Sequence, residues 1–306
     1  MPAALASPRG RSAAAHVFGT VLLWSFVPVV VKQLQPYNLG ISLGRFVFAV
    51  LALAGIQALR GRRLFAFQGS RGVLLLGGVA MAGNYCFFNV GLRYTTASAA
   101  NLVVQVEVVA LVLLARWVLG ERWTRAKALG IVVCMSGVLL VAWDGRPLHT
   151  LLRAQDLPGN ALVFLAGCCW GVYAVCQRLL ARTNSTLESL TALFLVSMAV
   201  TAAVVAVLGT GGDRPMPAII LLWCAVLGVF GTAASYVLLS RGIALSDATT
   251  AAMMTTSLPL FTATEAHLVL GESVSRWTFL GGSIIVSGLL LVAHEEAPLL
   301  EDAPEG

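Results

Sequence analysis

The sequence predicts an all-α membrane protein whose ten transmembrane helices form two inverted five-helix repeats. Three observations lead to this fold class: the composition, the recurrence of long apolar segments, and an internal repeat. Of the 306 residues, 58% are hydrophobic and only 11% are charged, whereas about 25% of a soluble domain is charged. So few charges cannot cover the surface of a water-soluble globule, and the composition therefore excludes a soluble enzyme and a disordered chain.

Apolar segments of about 20 residues, the length of a helix that crosses a bilayer, recur along the whole chain. The loops between them are short, and none is long enough for a soluble domain. The first segment follows two arginines, as a signal peptide would, but it contains Trp24 and Lys32 and has no small-x-small cleavage site, so we interpret it as a retained helix. The predicted spans are residues 13–32, 38–59, 72–92, 97–118, 126–143, 159–180, 188–208, 218–239, 246–270 and 276–294.

The distribution of basic residues predicts the orientation in the membrane. Ten spans place both termini on one side, and if that side is the cytoplasm, 13 of the Lys and Arg residues lie inside and 6 outside, with Arg45 within a span. Positive residues in short loops favour the cytoplasm. We therefore expect a multi-pass protein of the inner (plasma) membrane, with residues 1–12 and 295–306 as cytoplasmic tails.

The chain repeats itself internally. Residues 85–143 align with residues 236–294 without a gap, and 18 of the 59 positions are identical; upstream, Trp24 and Lys32 align with Trp170 and Arg178. Each repeat, at 13–143 and 159–294, holds five spans. Because five is odd, the second repeat enters the membrane from the opposite face, as in secondary transporters that hold their substrate near the midplane.

Two motifs close the fourth helix of each repeat, Leu119-Gly120-Glu121 and Leu270-Gly271-Glu272. With the ten spans and the five-plus-five duplication, they make the chain resemble the drug/metabolite transporter superfamily, and more closely its EamA branch. The small-residue segments 95–100 and 246–251 also fit this family. The resemblance covers nearly the whole chain and implies a transporter of amino acids, other metabolites or drugs, without specifying which.

The resemblance also implies details of the helix carrying each motif. Pro259 stands where this family commonly has a proline, but the matching position of the first repeat holds Val108, so we expect a straighter fourth span there. A carboxylate at a helix C-terminus opposes the helix dipole and needs a cationic partner. Basic residues at 122–127 follow Glu121, and Arg276 follows Glu272; we interpret both glutamates as structural contacts between the repeats, not as substrate ligands.

Two charged residues stand out within the spans, because a charge at the centre of a membrane helix costs about 2.5–3.5 kcal/mol. Glu107 lies near the membrane midplane in the fourth span. It is either a carboxylate that binds a proton or a cation, or a static partner for another buried polar group. Arg45, in the second span, could pair with Glu107, hold a substrate carboxylate with two hydrogen bonds, or extend toward the outer headgroups. Glu265 and His267, near the outer end of the ninth span, are expected to reach the headgroups.

Polar and aromatic residues recur at similar depth in the first, third, fourth, sixth, eighth and ninth spans. Their hydroxyls and amides could bind polar substrate atoms while the rings form the walls of a central cavity. The alternative for each amide or hydroxyl is an interhelical hydrogen bond, worth about 0.6 kcal/mol, and for each ring a place in the interfacial belt. The predicted cavity residues are Trp24, Asn84, Tyr85, Asn89, Asn101, Gln105, Trp170, Tyr173, Gln177, Ser235, Tyr236, Thr255 and Thr256.

These features predict a secondary transporter that moves a small metabolite, an amino acid or related compound, by alternating access, with export as the favoured direction and Glu107 as the hypothetical proton site. An uncoupled facilitator, a multidrug-type exporter of the same fold, and a sensor that retains the fold are the alternatives. No Walker motif is present, and the four histidines and six cysteines lack catalytic or metal-ligand spacing, so no enzyme activity, cofactor or metal is predicted. The expected partners are the substrate, the bilayer and protons, and not nucleic acid; a homodimer stays open.

Overall fold

The computed structural model describes residues 8–61, 67–119, 125–143, 145, 156–212, 215–245 and 258–296. Within these ranges the chain is helical apart from turns and short connections, and no strand occurs. The helices are α1 (Pro8–Gln33), α2 (Asn38–Leu59), α3 (Arg71–Gly91), α4 (Ala97–Val103), α5 (Val106–Leu114), α6 (Arg125–Trp143), α7 (Leu157–Leu180), α8 (Thr186–Leu208), α9 (Ala218–Gly228), α10 (Ser235–Leu245), α11 (Leu258–Leu270) and α12 (Arg276–Glu296).

Seven segments of the described chain are helical, long and apolar enough to cross a membrane. They coincide with the predicted spans one to four and six to eight. The fifth and ninth predicted spans contain the shorter apolar helices Ala128–Val141 and Leu258–Leu270, and the tenth coincides with α12. The all-helical prediction is confirmed, and the count of ten spans stays a prediction.

The fourth predicted span is interrupted between α4 and α5. The amide nitrogens of Gln105, Glu107 and Val108 donate to carbonyl oxygens three residues earlier, at 2.9–3.2 Å, where an α-helix would use the fourth. A Cβ atom on Gly167 of α7 would lie only 2.7 Å from the carbonyl oxygen of Val104, so the two backbones touch at this tightened turn. The missing proline led us to expect a straighter fourth span, and this expectation is wrong. The helix is interrupted without a proline, at the point where it packs against α7.

The helices pack mainly across the two repeats. α1 packs against α10 and α11, α2 against α8 and α9, α3 against α7, α4 against α11, and α6 against α12. Exchanging the repeats converts the α1–α10 contact into the α7–α3 contact and maps the α2–α8 and α6–α12 pairs onto themselves. This is the packing that a pseudo-two-fold axis between inverted repeats produces.

Glycine allows the α6–α12 pair to pack backbone against backbone. A Cβ atom on Gly137 would lie 2.6 Å from the carbonyl oxygen of Gly281, and one on Gly281 would lie 2.8 Å from that of Gly137. In a bilayer no hydrophobic effect drives helices together, so such close van der Waals contact is a main source of their association.

The motif Leu270-Gly271-Glu272 ends α11 with an αL C-cap at the glycine. Gly271 has a φ of +67°, a left-handed conformation that glycine adopts without strain. The N–H of Gly271 donates to the carbonyl of His267 at 3.1 Å, which is the hydrogen bond of this cap, and the N–H of Glu272 donates to the carbonyl of Ala266 at 3.2 Å. Glu272 therefore lies beyond the helix end, where its side chain reaches neighbouring helices.

The carboxylate of Glu272 joins the ends of three helices. Its Oε1 accepts from the amide of Ala97 at 2.9 Å, and its Oε2 accepts from the amide and the hydroxyl of Ser98 at 3.2 and 3.1 Å. Lys32 Nζ, at the end of α1, lies 3.3 Å from Oε1 and also donates to the carbonyl of Thr95. One carboxylate thus satisfies amide donors at the start of α4 and the charge at the end of α1.

Glu272 has the cationic partner expected of it, but that partner is Lys32 and not the nearby Arg276. The guanidinium of Arg276 lies over the ring of Trp277, 5.2 Å from its centroid. Proximity in sequence suggested Arg276, but the turn at the end of α11 directs the carboxylate toward α1 and α4. The matching Glu121 lies outside the described residues.

Candidate functional site

A cavity of about 90 Å³ lies where α1, α2, α3, α4, α5, α7, α10 and α11 meet. Helices of both predicted repeats contribute to it, as expected for a site between inverted repeats. Its lining consists of Trp24, Val27, Pro28, Arg45, Asn84, Tyr85, Phe88, Asn89, Asn101, Val104, Glu107, Trp170, Tyr236 and Leu258.

Arg45 is fixed at the cavity by hydrogen bonds across three helical segments. Its Nη2 donates to the phenol oxygen of Tyr85 at 3.3 Å and to the carbonyl of Gly231 at 3.2 Å, and its Nε donates to the hydroxyl of Thr232 at 3.3 Å. The side chain is buried, and its Cζ lies 4.3 Å from the centroid of the Tyr85 ring, a cation–π contact. Arg45 therefore does not extend to the headgroups.

A π-helical turn, Val229–Ala234, between α9 and α10 presents two of these partners. The hydroxyl of Thr232 donates to the carbonyl of Leu227 at 3.1 Å and accepts from Tyr85 at 3.1 Å as well as from Arg45. Each hydroxyl in this network therefore donates once, so its geometry is fully determined. Such π turns are rare and are often found at functional sites.

Aromatic side chains form one wall of the cavity. The indole of Trp24 donates to the hydroxyl of Ser235 at 2.9 Å, and the indole of Trp170 donates to the phenol oxygen of Tyr236 at 3.1 Å. The rings of Trp24 and Tyr236 meet edge to face, with centroids 5.2 Å apart. Because each polar edge has a hydrogen-bond partner in the protein, the wall is rigid and its exposed surface is largely apolar.

Glu107 lines the cavity directly after the tightened turn. Within the described part of the chain, no Lys, Arg or His nitrogen lies within 4.0 Å of its carboxylate, and the carboxylate accepts no hydrogen bond. Arg45 lines the same cavity and is not paired with it. Of the alternatives predicted for these charges, the Arg45–Glu107 ion pair and the static polar partner are absent from the described residues.

Three asparagines reach the cavity while bonded to neighbouring helices. The side-chain amide of Asn84 donates to a backbone carbonyl of α7 at 2.9 Å, that of Asn89 to the hydroxyl of Ser42 at 2.8 Å, and that of Asn101 to the hydroxyl of Thr262. The amide oxygens of Asn89 and Asn101 are buried without a partner among the described residues. These asparagines therefore bond helices together, and two of them retain a free acceptor.

Four predicted cavity residues lie elsewhere. Gln105 is buried in the tightened turn, and Tyr173 packs edge-on against the ring of Tyr236 at 5.8 Å. Gln177 donates to a serine of α8 at 3.1 Å, and Ser235 is buried and bonded to the indole of α1. A shared helix face was not sufficient to predict that a residue lines the cavity. Gln177 lies on the same face as Trp170 but about 10 Å further along the helix, at 1.5 Å per residue.

The predicted Thr255 and Thr256 lie outside the described residues, so their place stays a prediction. The lining also contains residues that the sequence pattern did not single out. Pro28, inside α1, carried a recognisable signal, because a proline within a helix removes a hydrogen bond. The others are apolar residues that resemble lipid-facing ones in sequence: Val27, Phe88, Val104 and Leu258.

The described residues contain no group of three or more His, Cys, Asp or Glu side chains that could hold a metal ion. The cavity instead offers one guanidinium, one carboxylate, amide groups and aromatic rings. A bundle of membrane-length helices around a cavity with a few such charged and polar groups is typical of membrane transporters.

The chain belongs to the EamA-like transporter family. The sequence model of this family matches residues 11–143 and, separately, residues 157–293. Two matches of similar length in one chain agree with the internal repeat. The resemblance to the drug/metabolite transporters is thereby confirmed.

Relatives with assigned names are transporters. The chain is 29% identical over 295 residues to an uncharacterized transporter of Archaeoglobus fulgidus, covering 90% of this chain and 96% of that protein. It is 26% identical over 253 residues to the uncharacterized inner membrane transporter YhbE of Escherichia coli, covering 79% and 76%. It is 25% identical over 276 residues to a probable terminal-alkyne amino-acid exporter of Streptantibioticus cattleyicolor, covering 89% and 90%.

A solved crystal structure has the same fold. It superimposes with a TM-score of 0.67, covering 94% of this chain and 99% of the other, at 17% sequence identity. The family match and the apolar helices together define a multi-pass membrane transporter.

Proposed function

We propose that this protein exports a small zwitterionic metabolite, an amino acid or related compound, by alternating access in exchange for protons. The observation that carries the proposal is that Arg45 and Glu107 line one cavity without pairing with each other. A cation and a carboxylate that face the same small space are complementary to a ligand with one charge of each sign.

Arg45 is the proposed site for the carboxylate of the substrate. A guanidinium has five N–H donors, and the hydrogen bonds to Tyr85, Gly231 and Thr232 use three of them. The two N–H groups of Nη1 have no partner among the described residues. A buried guanidinium without a counter-ion favours a ligand that supplies one, and its fixed orientation lowers the entropy lost on binding.

Glu107 is the proposed site for both the ammonium group and the proton. An unpaired charge at this depth is costly, so the carboxylate is best occupied either by the substrate ammonium or by a proton. Because one carboxylate cannot hold both at once, release of the substrate on one side and uptake of a proton there become linked steps. That competition is the physical basis for the proposed exchange.

The size of the cavity supports a small substrate over a drug. Its volume of about 90 Å³ is well below the approximately 300–1,000 Å³ of pockets for drug-sized ligands. The relative described as an amino-acid exporter supports the same substrate class and direction. The proposed orientation has ten spans and both termini in the cytoplasm, as the basic residues predict.

The test uses purified protein in liposomes with a proton gradient and compares three competitors of one labelled amino acid. These are the intact amino acid, its decarboxylated amine and its deaminated acid. We expect the intact amino acid to compete best, the acid analogue to be unaffected by Glu107→Gln, and the amine analogue to be unaffected by Arg45→Met. If each substitution weakened the binding of all three competitors equally, the result would contradict recognition of two charges.

A matched control is Glu265→Gln, which removes a membrane carboxylate outside the cavity lining. Glu265 accepts a hydrogen bond from the hydroxyl of Ser25 at 2.8 Å, and its substitution should not alter which competitor binds best. If the wild-type protein equilibrates the amino acid across the membrane but accumulates it against a gradient at no pH, the protein is an uncoupled facilitator and not a proton exchanger.

A further inference from the structure

We propose that the ion-paired cluster around Glu272 is a gate that closes one end of the cavity and opens once in each transport cycle. The cluster comprises Lys32, Thr95, Ala97, Ser98 and Glu272. The inference rests on the alternating access of the proposed function and not on the identity of the substrate.

The cluster lies just beyond the cavity. Lys32 lies four residues, about one helical turn, beyond the cavity residue Pro28. Ala97 lies the same distance before the cavity residue Asn101. The cluster therefore lies at the ends of helices α1 and α4 where they leave the cavity, and Glu272 attaches the end of α11 to both.

The cluster connects the two predicted repeats. Lys32 and Ser98 belong to the first repeat and Glu272 to the second. If the repeats move apart on this side to open the cavity, all contacts of the carboxylate must break together, because they converge on its two oxygens. One side chain therefore decides whether this end is closed.

The ion pair of the cluster is partly buried. The side chains of Lys32 and Glu272 are 28% and 10% exposed. A fully exposed pair contributes almost nothing, and a fully buried one leaves unpaired buried charges when it opens. A pair at intermediate depth that also holds backbone amides is strong enough to stay closed, yet its charges can regain water on opening.

A proline lies in α1 one turn before the cluster. Pro28 cannot donate the backbone hydrogen bond of an α-helix, and prolines are the commonest sites of sharp helix bending. Before it, Trp24 is anchored to Ser235 at 2.9 Å; after it, Lys32 is held by the cluster alone among the described residues. Val29 and Val31 near this end of α1 are buried in the apolar core, so once the cluster releases, the last turn swings about Pro28 together with the side chains packed on it.

The competing interpretation is a static structural contact, and cross-linking separates the two. Lys32→Cys and Glu272→Cys, combined in a protein without native cysteines, are joined by a reducible bifunctional thiol reagent that spans the original side-chain pair. We expect the cross-linked protein to lose transport and to recover it on reduction. Normal transport by the cross-linked protein would show that this contact never opens and would overturn the proposal. The six native cysteines to be replaced are Cys86, Cys134, Cys168, Cys169, Cys176 and Cys224.

A second experiment measures opening directly and needs no substrate. A reporter, Val27→Cys in the cavity lining, is labelled in membranes by an impermeant maleimide applied from either side. We expect Glu272→Gln and Lys32→Met to accelerate labelling roughly tenfold from the side that the cluster closes, which corresponds to about 1.4 kcal/mol, and to slow labelling from the other side. In the proposed orientation, the closed side is extracytoplasmic.

The control is Arg276→Met, which removes the cation that follows Glu272 in sequence but stacks on Trp277; its labelling should match the wild type. Unchanged labelling in Glu272→Gln, with or without a loss of thermal stability, would refute the gate. Because labelling requires no ligand, a failure of amino-acid binding leaves this result interpretable, whereas equal labelling from both sides in every variant would count against alternating access itself.

Discussion

Arg45 and Tyr85 interact twice: the guanidinium donates a hydrogen bond to the phenol oxygen at 3.3 Å, and its carbon lies 4.3 Å from the ring centroid. The ring also packs on Phe46, with centroids 4.4 Å apart. Tyr85 therefore holds Arg45, the one cation among the described residues that line the cavity, by a hydrogen bond and by a cation–π contact. A binding group that is already rigid loses little entropy when the ligand arrives, which favours binding.

The two contacts can be separated by substitution at Tyr85. Tyr85→Phe removes the hydroxyl that Arg45 and Thr232 share but keeps the ring, and we expect it to lower stability by about 0.5–1.5 kcal/mol with a modest loss of substrate affinity. Tyr85→Leu also removes the ring and should weaken binding much further. Thermal unfolding and substrate competition in detergent measure both effects. Equal affinity of the two variants would show that the cation–π contact does not matter.

Glu107→Gln keeps the shape of the side chain and removes its charge. We expect it to abolish accumulation of substrate against a gradient while exchange of labelled for unlabelled substrate continues at a reduced rate, because the neutral amide cannot alternate between proton and ammonium. Transport in liposomes with and without a proton gradient checks this. Accumulation that matches the wild type at every pH would rule out Glu107 as the coupling residue.

Gly167→Ala tests the close contact at the interrupted fourth span. The added methyl would lie 2.4 Å from Val106 Cγ1 and 2.7 Å from the carbonyl oxygen of Val104. We expect a loss of about 1–3 kcal/mol in stability from overpacking, with impaired transport because Glu107 follows this turn. The matched control is Gly55→Ala in α2, where nothing lies within 4 Å and the change should be neutral or stabilising by about 0.5–1 kcal/mol.

Gly271→Ala tests the turn that directs Glu272 to its partners. Nothing lies within 4 Å of the added methyl, but φ is +67°, so we expect a strain of about 1–2 kcal/mol and faster labelling of the Val27→Cys reporter. Gly61→Ala is the control, since its φ of +62° and open surroundings are the same while it lies far from the cluster in sequence. A labelling change of similar size in both variants would indicate a general loss of stability and not a specific effect on the gate.

Part of the candidate site was accessible to sequence reasoning. Glu107 and Arg45 could be singled out because charges are rare within apolar segments, and both line the cavity. The partners of Arg45 could not be found in this way. Thr232 and Gly231 lie 187 and 186 positions away, on a π turn whose residues have no distinctive pattern.

The amino-acid sequence by itself determined the all-helical membrane class and the internal repeat, because composition and periodicity act along the chain and do not depend on which helices meet. The family followed from the resemblance carried by the two Leu-Gly-Glu motifs and the duplication. Only the tertiary structure decided which side chains share a cavity and which pair with each other. Glu272 shows the difference: Arg276 is four residues away along the chain, yet Lys32, 240 residues away, neutralises it. Helix ends from both repeats meet at this point, and the energy of a charge is set by distance in space, not by distance along the chain.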